Sequence, residues 1–470
     1  MKLLSLEETY NLSIEEVKDL YKKNVSPAQV KLLSAFSFGD DMSDTSEGCY
    51  IFTKKGKKIL DFTGGFGVLN HGHNNSRIID ARINFQKKKK VEVHKNYLCP
   101  YLAALSHNIS NILPGNLNVS YLPNSGAEAN EGAIKLAYKF HEGKRKYILH
   151  SDISFHGKLL GTGSISSSPE VKFNFPGLNK TDTFIWNDIE SVKEKIKKYE
   201  KNNNNSDIFA IIVEPFSASS LKECSKEFLF ELRKICSEKK IILIFDEIYT
   251  GWGKTGEFFY FMHYNNLCPD VLTMSKSFGG GKSSISCFVT TNNIFEKAYG
   301  NLEDSMIHST TYNAFGEECV TAIEAINIAV EENYPFKAKD NGNLIKEKLN
   351  FLKKMYPNQI KEIRGKGCLQ GIFFQTGPEI INKVLKFIPI KLTKDNRFLS
   401  KLITSSVLNS LYNDYQILTS LGQNKEICLW ISPPIIANKE QINYFFESLE
   451  KILKEGLITS ILSFLKKQIF

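Results

Sequence analysis

Two short stretches, Ile208-Phe209-Ala210-Ile211-Ile212-Val213 and Ile241-Ile242-Leu243-Ile244-Phe245, are apolar at every position. A strand with one face in water alternates apolar and polar residues, so a strand apolar throughout must be covered on both faces. Between the two runs, positions 227–239 carry apolar residues at helical spacing. A buried strand, a helix and a second buried strand read as a crossover unit of a largely parallel sheet. The same alternation extends from about residue 81 to 334, with an amphipathic helix over 127–140 and a strand over 146–150. The expected fold class is therefore α/β, with a mostly parallel central sheet flanked by helices. Composition agrees: 42% hydrophobic and 24% charged residues exclude a mostly disordered, collagenous or mucin-like chain. The formal charge of +9 is mild and selects no partner by itself.

The flanking regions differ in pattern. Residues 1–80 read as an N-terminal extension and small-domain segment. They hold a helix over 11–24 capped by Asn11 or Ser13, then a hairpin of strands over 49–52 and 58–62. Glycines 64, 65, 67 and 72 make the following stretch a loop. Residues 81–335 form the large domain, in which the polar insert at 201–206 is a solvated loop. Residues 336–470 form a C-terminal α+β domain: a helix over 341–356, strands over 368–374 and 426–431, and a helix over 439–454. A terminal amphipathic helix over 456–470 suits packing or a dimer contact. The nine cysteines are scattered without a Cys-x-x-Cys pair, so no metal site is expected and a reducing cytoplasm fits best. The N-terminus lacks a secretory signal pattern, and no apolar run approaches the roughly 20 residues of a membrane span. The run Lys87-Lys88-Lys89-Lys90 reads as a solvated helix face, so no nucleic-acid partner is expected.

Open α/β sheets bind ligands beyond the carboxyl ends of their strands. Two acids stand there, Glu214 before Pro215 and Asp246 before Glu247, and each taken alone is equally readable as a surface acid. Lys276, within Ser275-Lys276-Ser277-Phe278-Gly279-Gly280-Gly281, could bind phosphate, form a Schiff base, or be a solvated lysine. The glycine run lacks P-loop spacing, which weighs against simple nucleotide hydrolysis. Asn124-Ser125-Gly126-Ala127 opens the helix over 127–140, and a helix N-terminus is a ready phosphate site, although a well-capped helix needs no ligand. Phe155-His156-Gly157 follows the next strand, where an aromatic ring could stack on a flat ligand or simply fill the core.

Taken in order, these pieces resemble the class III pyridoxal-phosphate-dependent aminotransferases, the ornithine-, acetylornithine- and GABA-type enzymes. The resemblance rests on Leu69-Asn70-His71-Gly72-His73, Asn124 to Glu131, Phe155-His156-Gly157, Glu214-Pro215, Asp246-Glu247-Ile248-Tyr249-Thr250-Gly251, Ser275-Lys276, Ser309-Thr310-Thr311-Tyr312, Arg364-Gly365-Lys366-Gly367 and Ser432-Pro433-Pro434, over about residues 45–455. It implies fold type I, with a small α+β lobe built from N- and C-terminal segments, and a homodimer with active sites at its interface. The implied cofactor is pyridoxal 5′-phosphate bound to Lys276, with Asp246 at the ring nitrogen as the second catalytic residue. Ser125, Gly126 and Ala127 would hold the phosphate, and Thr311 would reach it from the other subunit. Phe155 would stack on the ring, while His156, Glu214 and Tyr249 would complete the cofactor pocket. A carboxylate at the ring nitrogen keeps it electron-withdrawing, and a lysine freed by substrate can move the proton, so the residue types suit the chemistry.

Departures from the family pattern concern the substrate. Most well-known members carry a carboxylate-binding arginine three residues before the first proline of the Pro-Pro pair, and here that residue is Trp430. The position of the ornithine enzymes' gating glutamate holds Ser219, that of their gateway tyrosine holds Phe66, and that of a cofactor-contacting glutamine holds Tyr249. Lys158 stands where those enzymes carry another substrate-binding arginine. The expected reaction is ping-pong transamination between an amine or amino-acid donor and a carbonyl acceptor, with a substrate unlike ornithine. An epimerase, aminomutase or decarboxylase of the same fold, or a catalytically silent relative, is the alternative.

Overall fold

The runs Ile208–Val213 and Ile242–Asp246 are neighbouring parallel strands, and every residue of both is buried. The helix that joins them, Lys226–Lys239, is capped by Ser225, whose side chain accepts from Phe228 N–H. It presses Phe228, Leu229, Leu232 and Cys236 into the core and stops where Lys240 turns left-handed. The computed structural model describes residues 3–469, apart from 170–172, 174, 202–204, 314 and 378–396.

In chain order the strands used below are β1 (Ser43–Glu47), β2 (Tyr50–Thr53), β3 (Lys58–Asp61), β4 (Leu117–Tyr121), β5 (Tyr147–Ser151), β6 (Thr181–Phe184), β7 (Ile208–Val213), β8 (Ile242–Asp246), β9 (Val271–Met274) and β10 (Cys287–Thr291). They continue as β11 (Ile360–Lys366), β12 (Leu369–Phe374), β13 (Ile417–Leu418), β14 (Ser420–Gln423) and β15 (Ile427–Ile431). The central seven-stranded sheet has the order β4-β10-β9-β8-β7-β5-β6. All its strands run one way except β10, which is antiparallel to both neighbours. Because β7, β8 and β9 are adjacent and parallel, the residues at or just beyond their carboxyl ends, Glu214, Asp246 and Ser275-Lys276, emerge side by side at one end of the sheet. This is the fold-type-I α/β arrangement expected from the sequence.

Two smaller sheets stand beside it. Strands β11, β12, β15 and β14 form an antiparallel sheet in that order. In the other, β1-β2-β3 is joined by β13, which runs parallel to β3. One apolar cluster, including Leu60, Phe62, Leu349, Val407, Leu429 and Phe445, combines residues from both ends of the chain. The terminal helix, Leu457–Ile469, buries Leu457, Ile461 and Phe464 in this cluster and packs against the helix Phe398–Tyr415, so it docks within its own chain.

Several elements differ from the sequence reading. The helix expected from 341 begins at Tyr334, because Asn333 caps it and Pro335 falls in its first turn, where a missing N–H costs nothing. The N-terminal extension contains two helices besides the expected one, Leu6–Tyr10 and Pro27–Ala35, and none of the three buries a residue. The glycine loop contains one short turn, Gly64–Gly67, in which Phe66 shares the left-handed conformation of its glycine neighbours. Of the polar insert, 202–204 lie outside the described residues, while 200–201 and 205–206 pair as a short antiparallel ladder. Among the described residues, no helix is long and apolar enough to cross a membrane.

Candidate active site

The sheet end formed by β7, β8 and β9 opens into a cavity of about 530 Å³. Its floor is Lys276, two residues beyond the end of β9, with φ of 51°, a conformation that costs a β-carbon residue free energy and clusters at functional positions. The Lys276 Nζ lies 3.6 Å from the centre of the Tyr249 ring. Burial pushes its pKa down to about 8, against the opposing pull of Asp246 and Glu214. An amine in this range is partly neutral, and so nucleophilic, near physiological pH.

Asp246, at the end of β8, is buried and fully hydrogen-bonded. Its Oδ1 accepts from Ile248 N–H at 3.0 Å. Its Oδ2 meets Asn130 Nδ2 at 2.8 Å and His156 Nδ1 at 2.7 Å. Asn130, wholly buried on the helix Gly126–Phe140, also donates to the His156 carbonyl at 2.9 Å and accepts from the Thr273 hydroxyl at 2.7 Å. Glu214, at the end of β7, accepts from Phe155 N–H at 3.0 Å. Burial first, and then the nearby Asp246 carboxylate, raises the Glu214 pKa well above the usual carboxyl range.

The helix Gly126–Phe140 points its N-terminus at the same cavity. Ser125 caps it: its Oγ accepts from Glu128 N–H at 3.3 Å, and Glu128 in return accepts from Ser125 and Asn124 N–H at 2.9 and 2.8 Å. The next two N–H groups, of Gly126 and Ala127, have no intrahelical acceptor by position, and both residues line the cavity. A β-carbon at Gly126 would come within 2.8 Å of Ile248, so glycine is what lets this helix end approach.

The remaining sequence candidates divide. Phe155, His156, Tyr249, Phe66, Lys158, Ser219 and Trp430 all line the cavity, Lys158 and the 58%-exposed Phe66 from its open side. The Tyr249 hydroxyl lies 3.3 Å from Ser432 Oγ, so the face of its ring is what it presents to Lys276. Trp430 packs edge-to-face on Tyr249 with 5.3 Å between ring centres. Ser219 accepts from Asn424 Nδ2 at 2.8 Å. Ser125 is exposed at the rim and outside the lining, its hydroxyl engaged as the helix cap. Thr311 is exposed on the surface and does not line the cavity of its own chain. The sequence reading missed Asn130 and Thr273, and, in the lining, Ser168, Ala218, Ile248 and Leu421. Asn130 had a usable signal: it lies four residues after Gly126, on the same helix face.

The family model for class-III aminotransferases matches residues 41–453. The chain belongs to the class-III aminotransferases. Solved members of this fold superpose over most of the chain. The ornithine aminotransferase of Toxoplasma gondii is 19% identical, with a TM-score of 0.78, covering 99% of this chain and 100% of that one. An S-selective transaminase from Arthrobacter sp. is 20% identical, with a TM-score of 0.78, covering 95% and 99%. A transaminase from the marine bacterium Virgibacillus is 20% identical, with a TM-score of 0.76, covering 88% and 94%.

This class-III aminotransferase uses pyridoxal 5′-phosphate, and the cavity suits that cofactor. Two N–H groups at a helix end suit its phosphate, the ring of Phe155 suits a flat heterocycle, and a buried carboxylate that accepts from Asn130 and Ile248 and faces His156 suits a protonated ring nitrogen. An amine with a lowered pKa lies within the same walls.

Proposed function

We propose that this aminotransferase moves an amino group between a donor amine or amino acid and a carbonyl acceptor in two half-reactions, and that one substrate lacks an α-carboxylate next to the reacting carbon. The observation that carries the second part is the lining of the cavity, which among the described residues contains Trp430, Tyr249, Phe66, Phe155, Leu421 and Ile248 but no arginine. The two arginines nearest in sequence are engaged elsewhere. Arg364 pairs with Glu362 and Glu426, and Arg397 donates to the Asn424 carbonyl at 2.6 Å. Tryptophan has one N–H and cannot replace the planar fork that grips a carboxylate. Lys158, exposed at the mouth, is a cation placed to meet an acidic group farther along a substrate.

In this reading Lys276 anchors the cofactor and carries the proton. When bound, pyridoxal phosphate supplies Schiff-base chemistry and an electron sink at the substrate carbon. Asp246 would hold the ring nitrogen in its protonated form. The Gly126 and Ala127 N–H groups would fix the phosphate, with Ser125 as their cap, and Phe155 would fix the ring plane. Lys276, its amine close to half-neutral at pH 8, would take a proton from the substrate carbon and return it at the cofactor. His156 and Glu214 would hold the walls on either side of Asp246, and Tyr249 would cover the floor lysine.

The functional unit in this proposal is a homodimer in which Thr311 of one subunit approaches the other's phosphate site. Large apolar side chains stand exposed: Tyr97 is 79% exposed, Leu98 99% and Leu302 90%, and the segment before Tyr97 reaches the chain beside Thr311 where Lys95 donates to the Thr310 carbonyl. Apolar surface of this kind is typical of an interface.

The test is half-reaction spectroscopy with a panel of donors. Arylalkyl or aliphatic amines, or ω-amino acids, should convert the cofactor to its amine form faster than alanine or glutamate does. Faster conversion by alanine, glutamate and other amino acids whose single amine lies next to the carboxylate would defeat the substrate proposal. No conversion by any donor, with exchange of a substrate C–H proton retained, would favour an epimerase or aminomutase instead. In Lys276→Ala the cofactor absorbance that borohydride abolishes in the native protein should be missing.

A further inference from the structure

We propose that Asn130 is a positioning residue that keeps the proton shared by His156 and Asp246 on His156, so that Asp246 faces the cavity as a carboxylate. The inference rests on the reading of Asp246 as the partner of the cofactor's ring nitrogen.

The orientation of the Asn130 amide is fixed by its surroundings. The His156 carbonyl, 2.9 Å from Asn130 Nδ2, can only accept a hydrogen bond, so the nitrogen must be on that side. The Thr273 hydroxyl then donates to Oδ1 at 2.7 Å. Both amide hydrogens are thereby assigned, one to the His156 carbonyl and the other to Asp246 Oδ2 at 2.8 Å.

That second hydrogen decides where the neighbouring proton can sit. Asp246 Oδ2 also faces His156 Nδ1 at 2.7 Å, and the pair is buried. A proton between them could belong to the carboxyl, which leaves His156 neutral with its own proton on Nε2, or to the imidazole, which then carries a proton on both nitrogens. The Nε2 atom is buried and meets no hydrogen-bond partner among the described residues. Placing it on Oδ2 would leave that oxygen donating to His156 while accepting from Asn130, and a neutral carboxyl is the weaker acceptor. Backbone Ile248 N–H on Oδ1 adds to the same preference, since it too favours the ionised form. Asn130 is the side-chain donor in this set that cannot titrate, so it biases the pair at any pH. The other ionisable groups acting on Asp246 are Lys276 and Glu214 along the cavity and its chain neighbour Glu247. None of them contacts Asn130 through a hydrogen bond.

The geometry also links two parts of the site. Asn130 is on the helix whose first turn offers Gly126 and Ala127, and it touches the carboxylate at the opposite end of the cavity. Its helix end and Asp246 are therefore held at a fixed spacing, which a phosphate and a ring nitrogen on one rigid molecule require.

The test uses Asn130→Leu, close in volume and without a donor, with Thr273→Val as a control that leaves both Asn130 donations in place. The first readout is made on cofactor-free protein at pH 7. Nitrogen NMR of His156 should show a protonated Nδ1 in the native chain, and infrared spectroscopy should show a new protonated-carboxyl band in Asn130→Leu only. The second readout is pyridoxal phosphate affinity, followed by quenching of protein fluorescence. It should weaken about tenfold to a hundredfold in Asn130→Leu, the range of one hydrogen bond to a charged group, and less than threefold in Thr273→Val. A folded Asn130→Leu with native affinity and no new band would overturn the proposal. Should that variant fail to fold, an unprotonated Nδ1 in the native protein overturns it equally. Asp246→Ala separates the two readings: unchanged cofactor affinity there would remove the ring-nitrogen role, whatever Asn130 does to the proton.

Discussion

Trp430 sits on β15 with its ring against Tyr249, and the pair forms an aromatic wall over Lys276. Replacing it should change which substrates are accepted more than how fast a good one reacts. Trp430→Arg should raise kcat/KM for α-amino acids roughly tenfold to a hundredfold, the scale of one charge-assisted pair, and lower it for bulky amines. Steady-state kinetics with alanine and an arylalkylamine would check both directions. A second expectation concerns Lys276 itself. Its pKa of about 8 in the cofactor-free chain is below the ordinary 10.5 because burial disfavours the ammonium. The neutral amine is the reactive form, so covalent uptake of added pyridoxal phosphate should rise with pH and level off just above pH 8. Stopped-flow absorbance would show this, and a rate still climbing at pH 10 would mean an unperturbed lysine. Asp246 and Glu214 were legible in the sequence because each closely follows an apolar run, which marks a strand end, whereas Lys276 stood out through its glycine-flanked motif and the family resemblance. Asn130 and Thr273 were not, because their importance lies in facing each other across 143 residues of chain.

At the scale of elements, the cavity wall opposite the sheet is the β14–β15 hairpin. Gly422 on β14 is packed so closely that a β-carbon there would lie 2.4 Å from Trp430 Nε1 and 2.5 Å from Cys428 Sγ. Gly422→Ala must therefore displace the tryptophan. It should shift the ratio of activities on large and small amines while costing about 1–3 kcal/mol of stability, as overpacking does. Paired amine assays and chemical denaturation would measure the two effects together. The strands of this hairpin were visible only in part: 426–431 carries an apolar run, whereas β14, Ser-Leu-Gly-Gln, has no pattern of its own. Its strand form is imposed by pairing with β15. The reversed direction of β10 was equally hidden, since a buried strand reads the same way up or down. The start of the helix Tyr334–Met355 was missed for a simpler reason, a proline read as a boundary where it serves as a first-turn residue.

For the whole molecule, the exposed Tyr97, Leu98 and Leu302 and the unburied N-terminal helices leave much apolar surface for a single chain. Sedimentation should give a dimer, and Leu98→Asp with Leu302→Asp should shift it toward monomer with loss of cofactor affinity. A monomer that keeps native affinity would show that Thr311 of a second subunit is not needed. The composition-based reading of the +9 charge contributed nothing to this picture, because charge totals do not report where apolar side chains lie.

The pairing of β13 with β3 has a consequence for how the protein is made. On the ribosome, the hairpin that contains β3 emerges long before β13 and has an open edge until that strand has been synthesised. The central sheet can assemble first, since its strands follow one another in the nascent polypeptide. The lobe to which both strands belong must close after that sheet, and during the interval β3 is the segment most in need of protection by a chaperone.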